Sequence, residues 1–254
     1  MKSFIQEVNF FEGNNPEELA KTFGTPLYVY NEKILRNRMS NVAKVITKYP
    51  YTANYSVKAN TNIHILKLAL EEGLNCDAMS VGEITLLLKA GFPAERIFFV
   101  PNNVSSDELE FALNNGVMTS LDSLSQLELF GKTCERLNIS FENRKCAVRI
   151  NPGVGAGHCE KVVTGGKKTK FGIAEYAIDQ IFEIAQKYNI RIAGINQHIG
   201  SLFMDPQPYL DAVTNLLRIA HRMSRKKVFY QCVINIWKKR SLSSARIVSL
   251  PKWN

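Results

Sequence analysis

The chain has 254 residues, 45% hydrophobic and 22% charged, which suits one large α/β barrel or two smaller domains. No run approaches the roughly 18 uninterrupted apolar residues of a membrane span, and "MKSFIQEVNFFEG" carries Glu7 in its apolar stretch without a small-residue cleavage site. The net charge of +9 is confined to one end: residues 222–254 hold nine basic residues and no acid, leaving 23 of the 32 basic residues against all 23 acidic ones.

The body is therefore neutral, and neither a nucleic-acid nor a membrane partner is expected. Phe229, Tyr230, Trp237 and Trp253 stand among the tail's charges, but no recognisable nucleic-acid module surrounds them. Cys76, Cys134, Cys146, Cys159 and Cys232 show no C-x-x-C spacing and read as reduced thiols of a cytoplasmic protein. His64, His158, His198 and His221 show no metal-ligand spacing, so no metal site is expected.

Taken in chain order, the first element is a helix capped by Asn15, with Pro16 at its first position, Glu17 and Glu18 in its first turn and Gly24 at its end. "TPLYVYN" follows as a strand over 27–30, and Asn31 caps a second helix over roughly 32–48. From residue 51 strands and helices alternate. "YTANYSVK" is a strand and "NIHILKLALEEG" a helix; "LNCDAMS" is a strand and "SVGEITLLLKAG" a helix with a Ser80–Glu83 capping box. "RIFFVPN" and "SSDELEFALNNG" repeat the pattern, with Ser105 and Glu108 as the box. "VMTSLD" precedes a helix over roughly 124–137, and "KCAVRINP" leads through a glycine-rich loop to a helix over roughly 175–188. "IRIAGINQHIG" precedes a helix over about 206–221. Such alternation implies parallel strands joined by right-handed crossovers, in an open doubly wound sheet or a (β/α)8 barrel.

Each strand of this series ends on polar residues: Lys58, Asp77, Asn102 with Asn103, Asp122, Arg149 with Asn151, and His198. In a parallel barrel these ends open on one face, where an active site is built. Lys58 on a rigid strand end is a candidate nucleophilic amine able to form a Schiff base with an aldehyde, the attachment chemistry of pyridoxal phosphate; a solvated lysine is the alternative. His198 is either a satisfied rim histidine or a stacking or acid–base group. The loop "NPGVGAGHCEKVVTGGKKTKFGI" fits neither a dinucleotide fingerprint nor a P-loop, since no helix opens after "GVGAG" and Lys168 occupies the Ser/Thr position. Its glycines suit close backbone approach to an anionic ligand.

"FGTPLYVYN", "YSVKAN", "CDAMSVGE", "VRINPGV", "TGGKKTKFGI" and "HIGS" resemble, in order and rough spacing, the alanine-racemase-fold pyridoxal-phosphate decarboxylases, over about residues 8–222. The resemblance implies a pyridoxal-phosphate-binding (β/α)8 barrel of the TIM type, incomplete at about six βα units. Residues 1–31 would then belong to a β-rich domain otherwise missing, residues 32–222 to the partial barrel, and 223–254 to an atypical tail. It further implies decarboxylation of meso-2,6-diaminopimelate to L-lysine and carbon dioxide, with ornithine, arginine or carboxynorspermidine as alternative substrates, in a cytoplasmic homodimer. Lys58 would hold the cofactor; Asp77 and Glu83 would lie around that lysine. Arg149 would sit beneath the ring, His198 would stack on it and Ser201 would help bind the phosphate. Thr164, Lys170 and Gly172 would line the pocket.

The sequence departs from the family after the sixth unit. The family's glycine-run phosphate cradle, its glutamate for the ring nitrogen and its second domain have no counterpart in "SRKKVFYQCVINIWKKRSLSSARIVSLPKWN". The basic, glycine-free composition suggests a shifted reading frame from about residue 223. "KVFYQCVINIW" passes as a strand, but no seventh βα unit is expected. Six units alone would leave two open sheet edges, a poorly covered core and impaired catalysis.

Overall fold

A computed structural model describes residues 9–44, 50–151, 153, 166, 170–201, 205, 207–225, 233–239 and 243–248, with backbone alone for 201, 233–239 and 243–248. Helix α1 (Pro16–Phe23) starts as its sequence dictates: Asn15 Oδ1 accepts the Glu17 amide at 2.8 Å, and Gly24 at φ 81° ends it. Helix α2 (Glu32–Ala43) is capped by Asn31, whose Oδ1 accepts the Ile34 amide at 2.9 Å. The series then runs β1 (Tyr51–Ser56), α3 (Ile63–Glu71), β2 (Asn75–Ala78), α4 (Val81–Ala90), β3 (Ile97–Phe99), α5 (Ser106–Asn114), β4 (Met118–Leu121) and α6 (Leu124–Arg136). It continues with β5 (Lys145–Arg149), α7 (Ile178–Lys187), β6 (Arg191–Ser201) and α8 (Gln207–Ser224). Last come β7 (Val233–Lys239) and β8 (Ser243–Val248).

Strands β1 to β6 are consecutive parallel neighbours, as six βα units require. The expected open edges are not found. β7 lies parallel to β6, and β8 runs antiparallel to both β7 and β1, so an eight-stranded ring closes. A hairpin replaces the last crossover: an antiparallel return covers the edge of β1 without needing a helix. A seventh strand thus exists despite the tail's composition, and α8 runs past the boundary expected at 222.

Two further expectations are corrected. Residues 27–30 form no strand; Leu27, Tyr28, Val29 and Tyr30 are exposed, as befits a strand-like sequence without a sheet to pair with. The Ser80–Glu83 capping box is displaced. Ser80 Oγ accepts the Glu83 amide at 3.3 Å, but the Glu83 carboxylate accepts the Met79 amide at 2.6 Å rather than that of Ser80. The Ser105–Glu108 box forms as expected.

Pairing register fixes which side chains enter the barrel. Ser56 pairs with Asp77, Asp77 with Phe98, Phe98 with Met118, Ser120 with Ala147, and Arg149 with Asn196, so these residues share one face. Phe98, Val100 and Ala147, with Met79 and Met118, form a small inner cluster on that face. The opposite face carries Tyr55, Cys76, Phe99, Leu121, Val148 and Ile195 into the large core beneath the helices. Fully burying one such aliphatic or aromatic side chain stabilises by about 1.5–3 kcal/mol, so the helix-facing layer holds the ring together. Inside, Ser120 Oγ donates to Asn196 Oδ1 at 2.7 Å. Among the described residues no helix is long and apolar enough to cross a membrane.

Candidate active site at the barrel mouth

Lys58 does not end β1 itself. It sits two residues beyond, in a 3-10 turn over Val57–Ala59. Val57 is fully buried and anchors the turn, while Lys58 is exposed at the mouth. The Tyr55 hydroxyl donates to the Asn60 carbonyl at 3.3 Å, and Asn60 Nδ2 donates to the Tyr30 hydroxyl at 2.8 Å. The turn that presents the amine is therefore held from below by β1 and from outside by the N-terminal segment.

On the neighbouring strand Asp77 is fully buried, and its Oδ1 accepts the Ser56 hydroxyl at 2.8 Å. Glu83, in the first turn of α4, holds the Met79 amide just past the end of β2. Both acidic residues of "CDAMSVGE" thus lie at this rim, one inside the barrel and one fixing the strand-to-helix turn.

Across the mouth, Arg149 ends β5 and is 5% exposed. Its Nη1 donates to Asn102 Oδ1 at 3.0 Å, and its guanidinium lies 4.9 Å from the centroid of the Phe171 ring. Burial pulls its pKa down to about 10, opposed by the charge of Asp122, so it remains a cation at neutral pH. The Lys170 ammonium approaches the same ring at 5.4 Å. Phe171 is thus a platform bearing two cations. Burial raises the Asp122 carboxyl above its ordinary range, against the pull of Arg149 and Lys170.

The glycine-rich loop is tied to the barrel at its ends. Asn151 Oδ1 accepts the amides of Gly153 and Gly166, each at 3.0 Å, and Asn151 Nδ2 donates to the Gly166 carbonyl at 3.1 Å. The Ile173 amide donates to the Arg149 carbonyl at 2.7 Å, and the Asn151 amide to the Ile173 carbonyl at 2.9 Å. Gly172 makes this approach possible, with φ at +78° and no room for a Cβ beside the Asn151 backbone. His198 is half-buried on β6, two residues beyond Asn196, opposite the backbone of Trp237. The backbone of Ser201 ends β6, past Gly200 at φ 138°. Thr164 lies outside the described residues.

The rim therefore brings together Lys58, Asp77, Glu83, Arg149, Lys170, Gly172 and His198 from β1, β2, β5, β6 and their loops. A cavity of about 1110 Å³ lies to one side, lined by Ser125, Asn151, Gly172, Glu175, Tyr176 and Arg222 among others. It does not include Lys58, Asp77, Arg149 or His198, so its size says nothing about the chemistry. Sequence reasoning missed Phe171 as the cation platform and Tyr30 as a support of the Lys58 turn, and it named Asn151 only as a strand-end residue, not as the loop clamp. An aromatic between Lys170 and Gly172 was the one available signal for the first.

Over residues 32–236 the chain matches the family described as pyridoxal-dependent decarboxylase, pyridoxal binding domain. It is 41% identical over 214 residues to the diaminopimelate decarboxylase of Methanothermobacter thermautotrophicus, covering 83% of this chain and 48% of that protein. It is 34% identical over 219 residues to the diaminopimelate decarboxylase of Aquifex aeolicus, covering 85% and 51%. The crystal structure of diaminopimelate decarboxylase from Helicobacter pylori complexed with L-lysine superposes with a TM-score of 0.80 at 28% identity, covering 86% of this chain and 55% of that one. The chain thus spans about half the length of the curated relatives it matches. The family match extends to residue 236, past the boundary expected near 223 and into β7. With its barrel, its rim and that match in agreement, this chain belongs to the pyridoxal-dependent decarboxylases, in the part that forms their pyridoxal-binding domain.

Proposed function

We propose that this chain is the cofactor-binding half of an enzyme that decarboxylates meso-2,6-diaminopimelate to L-lysine and carbon dioxide. One observation carries the reading: the motif residues of four strands, far apart in sequence, meet at one barrel mouth around an exposed amine, Lys58. The residues present fit pyridoxal phosphate by their own chemistry. Lys58 offers a primary amine to an aldehyde; buried Arg149 and exposed Lys170 offer cations to an anionic ligand; His198 offers a flat half-buried ring.

When bound, the cofactor supplies an electron sink for the pair left at the α-carbon as carbon dioxide departs. The chain's residues do the holding. Lys58 is the covalent tether, on a turn fixed by Val57, Tyr55 and Tyr30. Asp77 keeps its carboxylate buried beside Ser56, and Glu83 fixes the turn above it. Arg149 and His198 would hold the ring of the cofactor, and Ser201 would help bind its phosphate. Lys170 and Gly172 would border the pocket from the glycine loop, and Thr164, which lies outside the described residues, is proposed with them by resemblance alone.

The choice of substrate rests on the relatives: those of 41% and 34% identity are diaminopimelate decarboxylases, and the Helicobacter pylori structure holds L-lysine. We propose, from the family resemblance alone, a cytoplasmic homodimer that serves lysine biosynthesis. The frame shift expected near residue 223 is not retained, because the family match runs on to residue 236.

The experiment is cofactor uptake. Pyridoxal phosphate is added to the purified chain, the linkage is fixed with borohydride, and labelled peptides are mapped. Label on Lys58, lost in Lys58→Ala, supports the reading; label spread over surface lysines and equal in both proteins would sink it. Carbon dioxide release from meso-diaminopimelate, ornithine and arginine then decides the substrate.

A further inference from the structure

We infer that Asn60 is a positioning residue for the Lys58 amine: it locks the turn that carries Lys58 to the N-terminal segment on one side and to helix α3 on the other. For its link to the cofactor this rests on the reading of the site given above.

Lys58 stands between two fixed points. Before it, Val57 is fully buried, and so is Tyr55 on β1. After it, Asn60 takes extended backbone, φ −163° and ψ 120°, and ends the turn. Every polar group of Asn60 is engaged, each with a different residue. Its amide donates to the Val57 carbonyl at 3.0 Å and closes the turn around Lys58. Its carbonyl accepts the Tyr55 hydroxyl at 3.3 Å. Its Oδ1 accepts the Asn62 amide at 2.9 Å, and Asn62 Oδ1 accepts the His64 amide at 2.9 Å in the first turn of α3. These are two Asx turns in succession, and they join the Lys58 turn to the helix. Finally, Asn60 Nδ2 donates to the Tyr30 hydroxyl at 2.8 Å.

The side chain adds what the main chain cannot. Any residue except proline would supply the bonds to Val57 and Tyr55. The bonds to Asn62 and Tyr30 need an acceptor and a donor on one short side chain, which an amide carries on a single carbon. The Tyr30 bond is also the one that leaves the strand–helix unit. Tyr30 is 48% exposed and follows the exposed residues Leu27, Tyr28 and Val29, so this bond ties an outlying segment to the turn beside the amine. An amine that must meet an aldehyde carbon gains from a fixed starting place, because an orientation set by the fold need not be found during the reaction. Asn60 thus works at one remove: it holds the turn, and Lys58 meets the ligand.

The test compares wild type with Tyr30→Phe, Asn60→Ala and the double variant. Amide exchange in the cofactor-free chain reads the turn. The Asn60 and Asn62 amides should exchange about two- to tenfold faster in Tyr30→Phe and roughly tenfold or more in Asn60→Ala, with the amides of β2 to β5 unchanged. Labelling of Lys58 by pyridoxal phosphate and borohydride should slow by similar factors. The ellipticity of the cofactor band, per bound cofactor, should change with it, a signal that loss of stability alone would not move. Tyr30→Phe should add little to Asn60→Ala, because both remove the same bond. Labelling and ellipticity equal to wild type in Asn60→Ala would overturn the proposal, and so would fully additive effects of the two substitutions. Wild type that takes up no cofactor at Lys58 would sink the reading of the site instead. Formaldehyde with borohydride, which needs an amine but no cofactor pocket, would then decide: the methylation rate of Lys58 relative to exposed Lys67 should still shift in Asn60→Ala, and an unchanged ratio would refute the positioning role.

Discussion

Gly172→Ala is the perturbation that most directly probes how the glycine loop is joined to the site. A Cβ on Gly172 would stand 2.8 Å from the Asn151 nitrogen, 3.0 Å from the Ile150 carbonyl carbon and 3.2 Å from the Asn151 Cα. All three are backbone atoms, so no side chain can swing away. Relief requires moving the pair of bonds that join Ile173 to Arg149 and Asn151. Gly172 also has φ +78°, which costs an L-residue about 1–2 kcal/mol. Forcing an atom into packed backbone adds about 1–3 kcal/mol, for a total of about 2–5 kcal/mol. For a chain of this size that lowers the melting temperature by roughly 5–15 °C, unless the loop parts from the barrel first. Gly153→Ala is the matched control: it has φ +73° and nothing within 4 Å of the added Cβ. It carries the backbone strain alone and should cost about 1–2 kcal/mol. The assay is thermal melting by circular dichroism, with cofactor uptake at Lys58 beside it. If the loop detaches locally, the melt changes little but uptake falls, because Arg149 loses the bond from Ile173. If Gly172→Ala matches Gly153→Ala in both measurements, the close approach carries no energy and the reasoning is wrong.

Two further outcomes follow from the packing of the body. Gly131→Ala on α6 would drive a Cβ into the base of the Tyr188 side chain, whose hydroxyl donates to Glu128 Oε1 at 2.7 Å; a loss of about 1–3 kcal/mol is expected in urea melts, and a midpoint equal to wild type would refute it. Burial raises the thiols of Cys76 and Cys146 above their ordinary value, which means the folded chain holds these protons more tightly than the unfolded one. Their contribution is therefore fully present below the unfolded thiol pKa and is lost as pH rises through the alkaline range, with a slope of at most about 1.4 kcal/mol per pH unit for each thiol. Urea midpoints measured from neutral to alkaline pH should fall beyond the unfolded thiol pKa, and less steeply in Cys146→Ala; a flat profile would refute the assignment.

What was legible in the sequence was whatever local chemistry decides. Asn15, Asn31 and Ser105 each cap the helix that follows, because a side-chain oxygen satisfies an amide two or three residues on. The rim was legible for a related reason: Lys58, Asp77, Asp122 and Arg149 all stand at or just beyond β-strand ends, and a parallel barrel gathers those ends on one face. What stayed hidden depends on pairing across the chain. Residues 27–30 read as a strand, but a strand is a relation between two segments, and no strand among the described residues pairs with them. β7 and β8 are the converse case. "KVFYQCVINIW" passed as a strand and no seventh βα unit follows it, but the antiparallel return of β8 that joins β7 to β1 left no local signal. The displaced cap at Glu83 shows the same limit on a small scale. Ser80 and Glu83 have capping-box spacing, but the rim needs Met79 drawn inward against Phe98 and Val100, so the carboxylate takes the Met79 amide. Where the site and the local rule compete, the site's packing decides, and that is where reading the sequence by local rules fails.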